Sequence, residues 1–180
     1  MSSQVHKESL NHIRMLILMA MFGAMMFISQ KLMEFLPNIH LLATIIAVIT
    51  IVYRRWALIA VLIYVFMSGL FGGFGVWWVP YIYLWPMLWL LLMLVPAKTK
   101  KNLSIPISAG ICTLHGFLFG VLYAPAQALF FHLNFEQTIA WIASGLYFDL
   151  LHGIGNAVLS LLIYPLVRLL FVLEKRSLLK

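Results

Sequence analysis

Apolar residues dominate this chain in long runs, and the polar residues that interrupt them come in short clusters. A helix needs about 20 apolar residues to cross the hydrocarbon core of a bilayer, fewer where its ends are buried in protein. On that measure the pattern predicts six transmembrane helices, over residues 13–30, 38–53, 56–72, 84–97, 103–124 and 139–172. The last is longer than a crossing requires, so its final turns are expected to emerge from the membrane. The breaks carry their own chemistry: LPN at 36–38, RR at 54–55, GGFG at 72–75, KTKKN at 98–102 and HLNFEQ at 132–137. No internal repeat and no low-complexity segment appears.

Within the last apolar run, SGLYFDLLHGIGN (144–156) departs from the rule of apolar residues only. At about 100° per residue, Gly145, Asp149, His152, Gly153, Asn156 and Ser160 fall in one sector of a helix. Leu146, Tyr147, Phe148, Leu151, Ile154, Val158 and Leu162 occupy the others. An ionisable residue at bilayer depth costs about 2.5–3.5 kcal/mol even on lenient insertion scales, so such a stripe faces protein or a cavity rather than lipid. Two uses stay open. One is an interhelical hydrogen-bond network, with Asp149 and His152 held by each other and by Asn156. The other is a ligand or proton site. His115 and His40 could join it, but no tight ligand spacing among His40, His115, Asp149 and His152 supports a metal, and none is expected.

Composition removes the soluble alternatives. Of 180 residues, 64% are hydrophobic and 9% charged, against about 25% charged in an average soluble domain. The chain reads as a single all-α integral membrane domain over 1–180. The apolar run from Ile13 is expected to be retained rather than cleaved as a signal, and the first twelve residues to form a polar tail. One cysteine, Cys112, rules out an internal disulfide and a cysteine-based metal cluster.

The net charge of +7 reports topology rather than a nucleic-acid partner. With the N-terminus inside, Lys7, Arg14, Arg54, Arg55, Lys98, Lys100, Lys101, Arg168, Lys175, Arg176 and Lys180 all fall on the cytoplasmic side, eleven of the twelve basic residues. Lys31 is the exception. Short-loop Lys and Arg favour the cytoplasm, so both termini are expected inside. The outer side then receives 35–40, the aromatic stretch GGFGVWWVPYIYLWP and residues 123–137. Trp77, Trp78, Tyr81, Tyr83 and Trp85 crowd that stretch, whereas only Tyr53 and Trp56 mark the inner boundary. The asymmetry favours a ligand-facing surface over an ordinary aromatic belt.

No Gly-Lys dipeptide occurs, hence no phosphate-binding P-loop, and no Gly-x-Ser-x-Gly elbow. No enzymatic activity and no cofactor are expected of the chain, and any ATP-driven step belongs to partner subunits. On the first span, Ala20, Gly23 and Ala24 form a small-residue face of the kind through which helices associate in lipid.

Taken together, Ala20-x-x-x-Ala24, LPNIH at 36–40, the aromatic stretch running into YIYLWP at 81–86 and FDLLHGIGN at 148–156 resemble the substrate-binding S component of an energy-coupling factor (ECF) transporter. The resemblance covers nearly the whole chain and is nearest to the cobalamin-specific S components of lactobacilli. It implies a six-helix vitamin-uptake subunit of the bacterial cell membrane, whose partners are a membrane scaffold subunit and two ATPases. It gives Ala20, Gly23 and Ala24 a docking role. It gives Asn38, His40, Trp77, Trp78, Tyr81, Trp85, Tyr123, Trp141, Asp149 and His152 a substrate-binding role. Cobalamin is the expected ligand, with pantothenate- and queuosine-type compounds as alternatives. Two other classes compete with this reading: a stand-alone proton-coupled secondary transporter and an intramembrane enzyme, both using Asp149 and His152.

Overall fold

The computed structural model describes residues 2–95 and 101–177, with side chains over 9–95 and 104–175. Lys98 and Lys100, two of the charges that set the expected orientation, lie outside the described residues. So does Lys180, and the side chains of Lys7, Lys101 and Arg176 are likewise not described. The described residues form helices and turns, with no strand among them. In chain order the helices are α1 (Ser2–Leu32), α2 (Leu42–Tyr53), α3 (Ala57–Gly72), α4 (Tyr81–Met93), α5 (Lys101–Phe117), α6 (Phe119–Phe131), α7 (Phe135–Leu159) and α8 (Ile163–Ser177). Short 3-10 turns join α2 to α3 at Arg54–Trp56, precede α4 at Val76–Trp78, and join α7 to α8 at Ser160–Leu162.

By length and composition, four stretches could cross a membrane: Ser9–Leu32, Leu42–Gly72, Val76–Met93 and Phe135–Lys175. Ser104–Phe117 and Phe119–Phe131 make a fifth if this pair, bent by 43°, counts as one. Those apolar helices are compatible with a multi-pass membrane protein. The second stretch is apolar on either side of Arg54–Arg55, and it folds back on itself there. His40 and Tyr64 are separated by roughly 36 Å of helix if the chain runs straight. Their ring centroids nevertheless lie 5.7 and 5.9 Å from that of Trp85. The reversal falls at Arg54, a non-glycine residue at φ 53°. Its guanidinium donates to the carbonyls of Met93 (2.7 Å) and Val95 (3.1 Å), and its own carbonyl accepts from Trp89 Nε1 (3.3 Å). A basic pair that the pattern marks as a break is therefore also the clasp that ties this hairpin to the end of α4.

The core gathers around α2, whose Leu42–Thr50 are all buried, with α1, α3, α4, α5 and α8 against it. At one end of the bundle Arg14 pairs with Glu174 (2.7 Å), which also accepts from the Tyr53 hydroxyl (3.0 Å). The opposite end carries the loop from Met33 to Leu41 and the aromatic segment ahead of α4. The α1 helix lies along α3, and Gly23 makes that possible: a Cβ there would stand 2.7 Å from Ile63 Cγ2 and 2.9 Å from the Ala60 carbonyl. Gly23 thus serves contacts within the chain, whereas Ala20 is exposed and Ala24 half-buried on the outward side of α1.

The expected helix over 103–124 is interrupted. The chain breaks at Leu118 and continues as α6 to Phe131, past the expected end. The first amide donors of a new helix need partners. The amide of Gly120 finds both carboxylate oxygens of Asp149, at 2.9 and 3.1 Å. The last run is likewise two helices, α7 and α8. Asn134 and Gln137 form a capping box that starts α7 within the polar HLNFEQ segment.

Candidate functional site

A cavity of about 490 Å³ opens at the end of the bundle away from Glu174. The end of α1 and the following loop line it, with the exposed Lys31, Glu34 and Asn38 toward solvent and Gln30 deeper, where it accepts from the buried Tyr64 hydroxyl (2.9 Å). Trp77 and Tyr81, from the segment leading into α4, line it as well. Its floor is polar and aromatic: Ser68, His40, Phe119 and His152. Asn38 stands at φ 56°, a left-handed conformation that Asn adopts more readily than most residues. It falls two positions before His40, in the turn that leads the chain from the exposed loop to the floor.

Five of the six stripe residues, Asp149, His152, Gly153, Asn156 and Ser160, form a buried face, whereas Gly145 is half-buried with open space beside it. Its members do different things. Asp149 holds the start of α6 through Gly120, as above. Asn156 Nδ2 donates to the Cys112 carbonyl (3.0 Å) on α5, and the Cys112 thiol donates to the Ala43 carbonyl (3.4 Å). Two glycines let α5 and α7 approach this closely. A Cβ on Gly116 would lie 2.8 Å from Asn156 Nδ2 and 2.9 Å from Gly153 Cα. The expected mutual support of Asp149 and His152 is not made, because the carboxylate is turned to the Gly120 amide.

His152 is left differently placed. It is 1% exposed, lines the cavity, and neither ring nitrogen has a hydrogen-bond partner among the described residues. Its ring lies 4.9 Å from that of His40 and 4.8 Å from that of Phe119. The buried Nδ1 of His40 is also without a partner among the described residues. His40 lies in the loop ahead of α2. Its pKa is pushed down to about 4, chiefly by desolvation and further by His115. At neutral pH it is uncharged.

Of the ten residues expected to bind substrate, Asn38, His40, Trp77, Tyr81 and His152 come together around the cavity. The other five stand behind or beside it. Trp85 is fully buried and forms the hub against which His40, Tyr64, Tyr81, His115 and Phe119 pack. Trp78 donates its indole N–H to the Val65 carbonyl (2.7 Å), fixing the segment before α4 to α3. Tyr123 stacks on Trp141 and donates to the Trp77 carbonyl (2.6 Å), bracing the wall from outside. Asp149 shapes the break beneath Phe119. The remaining lining residues were not expected, among them Phe27, Gln30 and Lys31 on α1, Glu34 in the loop after it, Ser68 on α3, and Phe119 at the α5–α6 break. For Lys31 there was a signal, since it is the one basic residue that breaks the charge asymmetry.

Among the described residues no group of three or more His, Cys, Asp or Glu side chains comes together in a way that could hold a metal ion. His115 sits on the other side of Trp85 and reaches the Leu84 carbonyl (3.3 Å). Comparisons with protein-family models, with curated proteins and with solved structures give no match.

Proposed function

We propose that this chain is the substrate-capturing membrane subunit of an ECF-type ABC importer in a bacterial cytoplasmic membrane. It binds a vitamin-like small molecule at the outer face and delivers it inward with a scaffold subunit and two ATPases. In this reading α1, α2, α3, α4, the bent α5–α6 pair and α7–α8 make six crossings, with both termini in the cytoplasm. The cavity then opens outward and the Glu174 end faces in. The observation that carries the reading is the cavity itself. It pairs a buried, unpartnered His152 with an aromatic wall and a polar mouth, and pockets of this kind bind small molecules. The outward-facing Ala20 and Ala24 support the second half, since small residues on a lipid-facing helix suit close approach of a partner helix. Cobalamin is the ligand that the sequence resemblance suggests, with pantothenate- and queuosine-type compounds as the alternatives.

The test separates capture from delivery. In cells that supply the scaffold and ATPases, Ala24→Trp should abolish uptake and co-purification with the scaffold. The isolated variant should retain whatever small molecule the parent binds. Normal uptake by Ala24→Trp would remove the docking role. Uptake that persists without the ATPases would instead favour a stand-alone transporter.

A further inference from the structure

We infer that the floor of the cavity takes an uncharged, flat heterocycle with a hydrogen-bond donor and acceptor on one edge, as in a nucleobase-like lactam, with its polar remainder at the mouth. The inference rests on the capture reading above and narrows it by ligand chemistry. Three observations carry it: size, charge and the unused polar atoms.

A cavity of about 490 Å³ lies in the lower half of the range for drug-sized ligands, roughly 300–1,000 Å³. A corrinoid with its nucleotide loop is much larger than such ligands, and only an edge of it could enter. The charged side chains lining the cavity are Lys31 and Glu34, both exposed, and they pair with each other at 3.0 Å. At the floor stand Ser68, His40, Phe119 and His152, without a carboxylate or a lysine or arginine. A charged ligand group taken there would lose its water without gaining a counter-charge, which is strongly unfavourable. The deep end of the ligand is therefore neutral, and pantothenate could enter only with its carboxylate toward Lys31.

The polar atoms set the pattern. A neutral imidazole offers one N–H donor and one acceptor lone pair. Both nitrogens of His152 and Nδ1 of His40 are unpartnered among the described residues; they are covered in the ligand-free protein, so a ligand meets them by turning the rings that border the cavity. Each buried polar group left unmet carries a desolvation cost that a matching ligand removes. A lactam edge, N–H beside C=O, supplies an acceptor and a donor side by side. Phe119 and Tyr81 give its ring faces apolar contact, as stacking of planar rings on aromatic side chains requires.

The experiment uses the purified full-length chain in lipid nanodiscs. Guanosine, 7-deazaguanine, uridine and lumichrome serve as neutral heterocycles, pantothenate as an anion, thiamine as a cation and cyanocobalamin as a corrinoid. At least one neutral heterocycle should bind, and His152→Phe should weaken it by about tenfold or more, the scale of one lost hydrogen bond in a buried site. His40→Ala, on a loop and outside the helical core, should weaken it as well and guards against a folding defect in the first variant. Failure of all four neutral compounds to bind the parent protein would overturn the inference. So would tight binding of cyanocobalamin, thiamine or pantothenate that survives His152→Phe. Binding of one of those three with sensitivity to His152→Phe would overturn the ligand chemistry yet leave the capture reading standing. Loss of uptake in Ala24→Trp remains the separate measure of that reading.

Discussion

Asp149 and His152 sit one helical turn apart on the same buried stripe of α7, and the structure treats them in opposite ways. Asp149 has its carboxylate satisfied by the Gly120 amide, and its neighbour Asn156 is bonded to the Cys112 carbonyl. That part of the stripe joins α7 to α5 and α6 across glycines, in the way polar and small residues join helices where lipid offers no hydrophobic drive. His152 between them is equally buried and its ring borders the cavity, but its nitrogens, closed off from solvent, meet no donor or acceptor among the described residues. Burial of a polar residue in a membrane helix thus says that it faces protein. Ser160 Oγ on the same stripe and Trp85 Nε1 are unpartnered among the described residues too, away from the cavity, so it is the absence of partners together with a place on the cavity lining that singles out His152.

The contrast can be broken from either side. The largest effect should come from Gly116→Leu, because the new side chain meets the backbone of Gly153 as well as the bonded amide of Asn156. Overpacking typically costs about 1–3 kcal/mol, and here two helices must separate, so the loss should reach that upper bound or pass it. The thermal midpoint of the purified variant, if it folds, is the check. Asp149→Leu should come next. It strips the Gly120 amide of its acceptor and should lower unfolding stability by about 1–3 kcal/mol. A midpoint equal to the parent's would mean that the break at Leu118 does not need this cap.

His152→Phe sharpens the other side. It keeps a ring of similar shape and removes two unpartnered nitrogens from a buried position, so the ligand-free protein should be as stable as the parent or slightly more so. Ligand binding should fall even as stability holds. Last and smallest, Asp149→Asn keeps an oxygen to accept from the Gly120 amide. Stability should drop by less than about 1 kcal/mol, on the scale of one hydrogen bond losing its charge. Ligand affinity should stay within about twofold of the parent. A larger loss of affinity, measured on monodisperse protein, would put the Asp149 charge back into the binding site.

Much of the fold was legible because its signals are local. LPN, RR, GGFG and HLNFEQ each mark a place where the helices do end, and the polar sector is the buried face from Asp149 onward, though not at Gly145. The break at Leu118 was not legible. Its amide donor and its carboxylate acceptor lie 29 residues apart, and no local pattern announces that Asp149 reaches Gly120. For the same reason the stripe suggested an Asp149–His152 pair, which is the nearest partner in sequence but not the one chosen in space. In the aromatic stretch, composition pointed to a ligand surface without saying which rings face it. Trp77 and Tyr81 line the cavity, while Trp78 and Trp85 support it from within the protein. The contribution of α1 to the cavity was missed because Gln30 and Lys31 read as the polar end of a span. The charge that broke the asymmetry was the visible trace of it.

The central claim is that this cavity holds a small molecule through His152 while Asp149 and Asn156 hold the helices. Mass spectrometry of the small molecules released from parent and His152→Phe proteins, purified side by side in equal amounts, tests it most directly. The account expects a neutral heterocyclic compound to elute with the parent and to be lost, or reduced about tenfold or more, in the variant. The same compound at the same level in both proteins, or none released from the parent, would contradict it.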